Sequence, residues 1–209
     1  MHDKKFVVPF RNDSSNPFEN VEWEEISCIN WPEKFPHGAN VKFRISHDGD
    51  AIHVEYAVCE DSSLALTLLD NGPVWEDSCV EFFICFSENG YYNLEANCIG
   101  TILLAKRKSR AENVVHATND ILSLIGRKSS LKRAPFSEQS IGKWTLRLDI
   151  PKEAFFLDGI STLSGLNASM NLYKCADKLL VPHYLSWNPI STLHPDFHRP
   201  EFFREVLFE

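Results

Sequence analysis

Trp75 and Glu81 are the residues of this chain best suited to hold a ligand. Trp75 sits among loop formers, in Asn71-Gly72-Pro73-Val74-Trp75-Glu76-Asp77, just ahead of the strand-like run Val80-Glu81-Phe82-Phe83-Ile84. Indole offers a flat apolar face with one polar N–H edge. A pyranose ring has apolar C–H faces and an equator of hydroxyls, so the two surfaces match. Glu81 is an acid inside an otherwise apolar run, a setting in which acids are seldom left without a partner. It reads either as half of a buried salt bridge or as an acceptor for a pair of sugar hydroxyls. A second loop tryptophan, Trp187, lies in His183-Tyr184-Leu185-Ser186-Trp187-Asn188-Pro189 and is the candidate second wall. Either tryptophan also suits a sandwich corner as packing. Covering roughly 100 Å² of apolar surface on each side of a ring contributes about 2.5 kcal/mol per tryptophan. With a few hydrogen bonds and the cost of ordering, this corresponds to dissociation constants between about 1 mM and a few µM.

Other polar residues stand in or near strand-like runs. Asn97 and Asn171 each suit the same face as Glu81 or a neighbouring backbone group. The basic cluster Lys106-Arg107-Lys108-Ser109-Arg110 reads first as a solvated hairpin; alternatively Arg107 or Arg110 reaches the site, where a guanidinium fork donates well to ring oxygens. His194 and His198 are four apart, with His183, Asp177 and Asp196 near in sequence. Pro195 and Pro200 break any helix there and H-E-x-x-H is absent, so no zinc site is expected. The nucleophile elbow, P-loop and dinucleotide motifs are also absent. No spacing singles out a carboxylate pair for glycoside hydrolysis, although any two acids can converge in a fold.

The elements that must position these residues are strands. Val41–Ile45 and Ile52–Val58 alternate apolar and polar residues around the turn His47-Asp48-Gly49-Asp50. Cys79–Phe86 is apolar at nearly every position and reads as a central strand covered on both faces. Further runs are Tyr91–Ile99, Thr101–Leu104, Trp144–Ile150, Ala168–Cys175 and Glu205–Phe208, with one helical turn at Pro151–Ala154. About ten short strands and little helix predict an all-β antiparallel sandwich of jelly-roll or immunoglobulin-like type, in one domain over 1–209. Residues 1–20 are expected to be an irregular lead-in. The stretch from Lys106 to Pro135 is the least strand-like and is expected to be a long excursion.

Composition limits the partners. The net charge of −8 argues against general nucleic-acid binding. The positive residues gather between Thr101 and Pro135, eight Lys/Arg against two Asp/Glu, which leaves −14 for the rest. No run approaches the roughly 20 apolar residues of a membrane span, and the N-terminus lacks the apolar stretch of a signal peptide. The six scattered cysteines read as reduced, buried thiols. Together these features predict a cytoplasmic location, or an extracellular or periplasmic one if a leader precedes the sequence.

The motifs resemble carbohydrate-binding module family 9 and the broader sandwich group it shares with DOMON domains. Trp75 precedes Glu81 at the interval between the family's first stacking tryptophan and its sugar-binding glutamate. Asn171-Leu172-Tyr173-Lys174-Cys175 leads to Ser186-Trp187-Asn188-Pro189, where the family places its second stacking tryptophan. His198-Arg199-Pro200-Glu201-Phe202-Phe203 looks like the family's closing H-x-P-E-x-F-G segment, with Arg204 at the place of the glycine. The resemblance implies non-catalytic binding of a mono- or oligosaccharide end between Trp75 and Trp187, with Glu81 on its hydroxyls and Arg107 or Arg110 as the arginine contact. It also implies that no cofactor is required, and that structural calcium is a feature to look for, with Asp70 and Asp77 in a suitable loop. Three other readings stay open. One is a haem-binding DOMON-like domain with Met170 or a histidine as axial ligand. Another is a glycoside hydrolase using Glu81 with a second acid, or a metal hydrolase using the C-terminal histidines. The last is an interaction scaffold with both tryptophans buried.

Overall fold

The computed structural model describes residues 5–12 and 15–209. Sixteen strands follow one another among the described residues. They are β1 (Phe6–Val8), β2 (Glu24–Glu25), β3 (Cys28–Ile29), β4 (Asn40–His47), β5 (Ala51–Cys59), β6 (Ser63–Ala65), β7 (Cys79–Ser87) and β8 (Gly90–Asn97), then β9 (Ile102–Arg107), β10 (Val115–His116), β11 (Gly126–Ser129), β12 (Phe136–Gln139), β13 (Lys143–Pro151), β14 (Asn167–Cys175), β15 (Tyr184–Ser186) and β16 (Arg204–Phe208). The all-β expectation holds, with one short helix, α1 (Asn119–Leu124), and three 3-10 turns among the described residues. More strands form than the ten expected because β2, β3 and β10 have two residues and β1, β6 and β15 three, too short to carry a period in sequence.

Two sheets face each other. The larger has the order β1-β16-β14-β7-β8-β9-β10, with β15 paired to β14 and β3 to β15; the smaller has the order β11-β13-β5-β4-β2. All neighbours are antiparallel except β1, which runs parallel to β16. That pairing corrects the expected irregular lead-in. Phe6–Val8 is an edge strand and Val8 is fully buried, while residues 1–4 and 13–14 lie outside the described residues.

Alternation along each strand builds the sandwich. On the small sheet Val41, Phe43, Ile45, Ile52, Val54, Tyr56, Leu146 and Leu148 point inward. They meet Val80, Phe82, Ile84, Leu94, Leu104, Met170 and Leu172 of the large sheet. Each such side chain contributes roughly 1.5–3 kcal/mol on burial. The outer face of the small sheet is polar; Arg44, for example, faces its register partner Glu55 and donates to it at 2.7 Å.

The large sheet differs, since its outer face is apolar too. Phe83, Tyr91, Leu103, Ala105 and Tyr173 point away from the sandwich and form a second core with Trp31, Val74, Ile190, Phe197 and Phe203. Phe197 lies flat on Tyr173, with ring centroids 4.2 Å apart and planes 10° from parallel. The continuous apolar run of β7 thus reflects cover on both faces. On one side it is a sheet; on the other it is a layer of loops.

At one end of the sandwich core a buried ion pair replaces apolar packing. Lys174 Nζ lies 2.9 Å from Glu60 Oε2, and Trp144 Nε1 and Ser63 Oγ donate to Glu60 Oε1 at 2.7 and 2.9 Å. Burial by itself would raise the Glu60 carboxyl, but Lys174, His183 and Trp144 beside it hold it well below the usual range. Removing one partner leaves the other charged and dry. Lys174→Met is therefore expected to cost about 3–5 kcal/mol in urea unfolding, against little loss for substitution of an exposed lysine such as Lys178.

Candidate functional site

The second core is incomplete at one end of the large sheet, and acids occupy the gap. Glu81 on β7 lies directly opposite Glu95 on β8, which in turn faces Leu103 on β9. Together with Cys175 these side chains line a cleft of about 350 Å³. Trp75, Tyr184, Phe197 and His198 also line it, as do Arg107, Arg110, Val114, His116, Asp177 and Asp196. Trp75 comes from the 3-10 turn Val74–Glu76. Pro73 starts that turn, and the Trp75 carbonyl accepts from Asp177 N at 3.3 Å, so the indole stands at the cleft with 38% of its surface exposed.

The two glutamates are each 4% exposed, and among the described residues neither forms an ion pair. Glu81 Oε1 receives the Cys175 thiol at 3.1 Å. Glu95 Oε1 accepts from Asn93 Nδ2 at 2.9 Å, but Glu95 Oε2 has no partner among the described residues. Burial pushes both carboxyls up, Glu95 to about 7 and Glu81 well above its ordinary value, where Cys175 and the neighbouring Glu95 add to the effect. Arg107 tempers Glu95 from nearby. Its Nε donates to Asn93 Oδ1 at 2.7 Å and its Nη1 to the Arg110 carbonyl at 2.9 Å, which fixes the guanidinium in place. Burial and the two arginines push His198 down to about 3. The ring is therefore neutral, and its Nδ1 shares a hydrogen bond with the Tyr91 hydroxyl at 2.9 Å.

Of the residues selected from sequence, Trp75, Glu81 and Arg107 converge on this cleft, and Arg110 lines it as well. Trp187 does not, which corrects its expected role as a second wall. It is only 8% exposed and packs in the sandwich core, edge-to-face with Phe6 at 5.0 Å and Phe43 at 5.4 Å. Arg204, the residue at the family's glycine position, lays its guanidinium 4.9 Å from the Trp187 ring. Asn97 and Asn171 are likewise corrected, because their amides are consumed by the protein. Asn97 donates to the Thr67 carbonyl and to Asp77 and accepts from Thr101 N. Asn171 clasps the backbone of Asn188 through both amide atoms.

Asp77 accepts from Leu66 N, Thr67 N and Asn97, and Asp70 from Ile102 N and Arg127, so both carboxylates serve protein donors. Met170 is packed in the sandwich core. His183 sits 3.5 Å from Glu60, remote in role from His198. Glu95 was not among the residues selected from sequence, although it carries the same signal as Glu81, an acid between apolar neighbours in Leu94-Glu95-Ala96. Tyr184 and Phe197 gave no signal of their own, while Asp177 and His198 stood out only as part of a histidine cluster weighed for zinc and, for His198, of the closing family motif.

The sequence profile of carbohydrate-binding family 9 matches residues 12–208, and the chain belongs to that family. A candidate carbohydrate-binding protein from Bacteroides uniformis is 37% identical, with a TM-score of 0.92 and 99% of each chain covered. A family 9 module from Caldicellulosiruptor kristjanssonii, solved with glucose, shares the fold at a TM-score of 0.62 and 14% identity, covering 99% of this chain and 96% of that one. The same organism's module solved with cellotriose gives 0.60 and 14%, with 99% and 94% covered. No curated protein is significantly similar to the chain.

Two outcomes check this placement. Trp187→Ala should lower folding stability by about 3–5 kcal/mol, as truncation of a buried aromatic does, read by denaturant unfolding. Glu95 binds its proton more tightly folded than unfolded, so its contribution to stability falls as pH rises from about 4.5 through about 7. Glu95→Gln removes that term. The melting temperature of the variant relative to wild type should climb across this window, and a flat difference would contradict the burial of Glu95 as an acid.

Proposed function

We propose that this chain is a non-catalytic module that binds the end of a mono- or oligosaccharide in the cleft beside Trp75. The observation that carries the reading is the pairing of an exposed indole with a buried carboxylate oxygen, Glu95 Oε2, that the protein leaves without a donor. Such an atom costs about 1–3 kcal/mol unless a ligand satisfies it. A sugar hydroxyl is the matching donor, and the C–H face of the same ring suits Trp75. Tyr184 and Phe197 take the place of the second apolar wall first sought in Trp187. Glu81 in its protonated state gives one hydrogen bond and accepts another, and Arg107 offers its remaining guanidinium donors. The cleft is at the small end of ligand sites, which run from about 300 to 1,000 Å³. That favours one or two rings over a long polymer. The glucose and cellotriose complexes of the Caldicellulosiruptor modules make glucose-type sugars the first ligands to try.

The raised, adjacent carboxyls of Glu81 and Glu95 also suit a glycoside hydrolase, in which one acid is held protonated near neutral pH. Register argues for the binding role. The two acids are cross-strand neighbours on one sheet face, with β-carbons about 5 Å apart, and approach a ligand from the same side. A hydrolytic pair must flank the scissile bond.

Isothermal titration with glucose, cellobiose, cellotriose and xylose oligomers tests the proposal. A sugar should bind, Trp75→Ala should remove binding without loss of folding stability, and Glu95→Gln should weaken it. Hydroxyl donors favour the ionised form of Glu95, so affinity should increase as pH rises through about 7. Failure of every sugar to bind, or turnover of chromogenic glycosides abolished by Glu81→Gln, would overturn it.

A further inference from the structure

Beneath the sugar cleft, two cysteines and an acid meet. Cys79 on β7 and Cys175 on β14 are register partners in adjacent antiparallel strands. Glu81, two residues along β7, points to the same face. One ligand atom from each, the two sulfurs and a carboxylate oxygen, lie within 4.8 Å of one another, and this is the one such group among the described residues. All three side chains are buried, at 0%, 2% and 4% exposure. No disulfide joins the thiols. The Cys175 thiol instead donates to Glu81 Oε1 at 3.1 Å, so a shared proton sits where a cation would bridge the two.

We propose that Cys79, Cys175 and Glu81 form a binding site for a thiophilic d10 divalent cation, of the zinc and cadmium class. Tetrahedral zinc with sulfur at about 2.3 Å and oxygen at about 2.0–2.2 Å sets its ligands roughly 3.5–3.8 Å apart. The three atoms here, within 4.8 Å of one another, must draw together by up to about 1 Å to reach that spacing. Two thiolates select a soft cation over calcium or magnesium. Glu81 and Cys175 also line the cleft, which supplies an entry path and leaves a fourth position for water. On binding, the two S–H protons, and the carboxyl proton when Glu81 carries one, leave to solvent, and no electron transfer is involved. Thiol ligands must give up their protons to bind, so the site should fill more readily as pH rises. Glu81 would then serve the cation in place of a sugar hydroxyl. The site stands on the three side chains alone and does not depend on the sugar reading.

The experiment is a cadmium titration of the reduced full-length protein, read by the ultraviolet thiolate-to-cadmium absorption, with zinc as competitor. The expected result is a single equivalent of cadmium with an absorption that zinc removes. Cys79→Ser and Cys175→Ser should each lose most of it, while Cys28→Ser and Cys59→Ser, away from the site, retain it. Should a serine variant fail to fold by circular dichroism, Glu81→Gln provides the second arm, keeping the absorption but weakening the affinity. Absence of the absorption at saturating cadmium, its persistence in the folded Cys79 and Cys175 variants, or affinity unchanged by Glu81→Gln would overturn the assignment. Loss of sugar binding in Trp75→Ala with the cadmium signal intact separates the two sites.

Discussion

The large sheet is buried on both faces, and the rest of the molecule follows from that constraint. Strand alternation sends Val80, Phe82 and Ile84 into the sandwich and Cys79, Glu81 and Phe83 to the other side. An apolar outer face must be covered, and the loops carrying Trp31, Phe197 and Phe203 cover it. Their cover stops short over the ends of β7, β8 and β14. The acids and thiols of those strands are therefore desolvated without being sealed. A cleft with a dry floor and an aromatic wall is the consequence, and its carboxyls are raised by the same burial that keeps the strands together.

Comparison of the buried acids clarifies what is structural and what is available for binding. Glu60 is held ionised by Lys174, Trp144 and Ser63, and its charge is fully answered within the protein. Asp77 is answered by two backbone N–H groups and Asn97. Glu81 and Glu95 have a thiol and an amide between them, and one oxygen has no donor. Among the described residues Glu60 Oε2 also lacks a hydrogen-bond donor but has the Lys174 ammonium 2.9 Å away, whereas Glu95 Oε2 has neither donor nor ion pair and bears a destabilising term. Perturbed groups of this kind concentrate where a ligand supplies the missing interaction. The rigid β-strands below and the fixed Arg107 hold the donors and acceptors in place before a ligand arrives, which lowers the cost of binding.

Much of the fold was legible because its signals are local. The alternation in Val41–Ile45, Ile52–Val58 and Trp144–Ile150 corresponds to β4, β5 and β13, and the apolar run at Cys79 corresponds to β7. The edge strand Phe6–Val8 was not legible, since three residues cannot establish a period and its partner is β16, at the far end of the chain. In the candidate site, Trp75 stood out by its loop neighbours and Glu81 by its apolar ones. Trp187 has the same kind of neighbours as Trp75 and a different fate. Nothing local separates them. Phe6, Phe43 and Arg204 close over one ring, while among the described residues no comparable set covers the other, which stays 38% exposed.

By itself the sequence determined the strand pattern, the β class, family membership through its spaced motifs, and the presence of an acid and an indole at one strand end. Those properties depend on side-chain period and on neighbours within a few residues. Only the tertiary structure decided that Glu95 stands beside Glu81, that Cys175 lies across from Cys79, and that Trp187 is core. Each of these is a matter of register between strands or of contact between distant segments. In a sheet, shifting the register by one residue turns every side chain to the opposite face, and no short stretch of sequence reports which register the folded chain adopts.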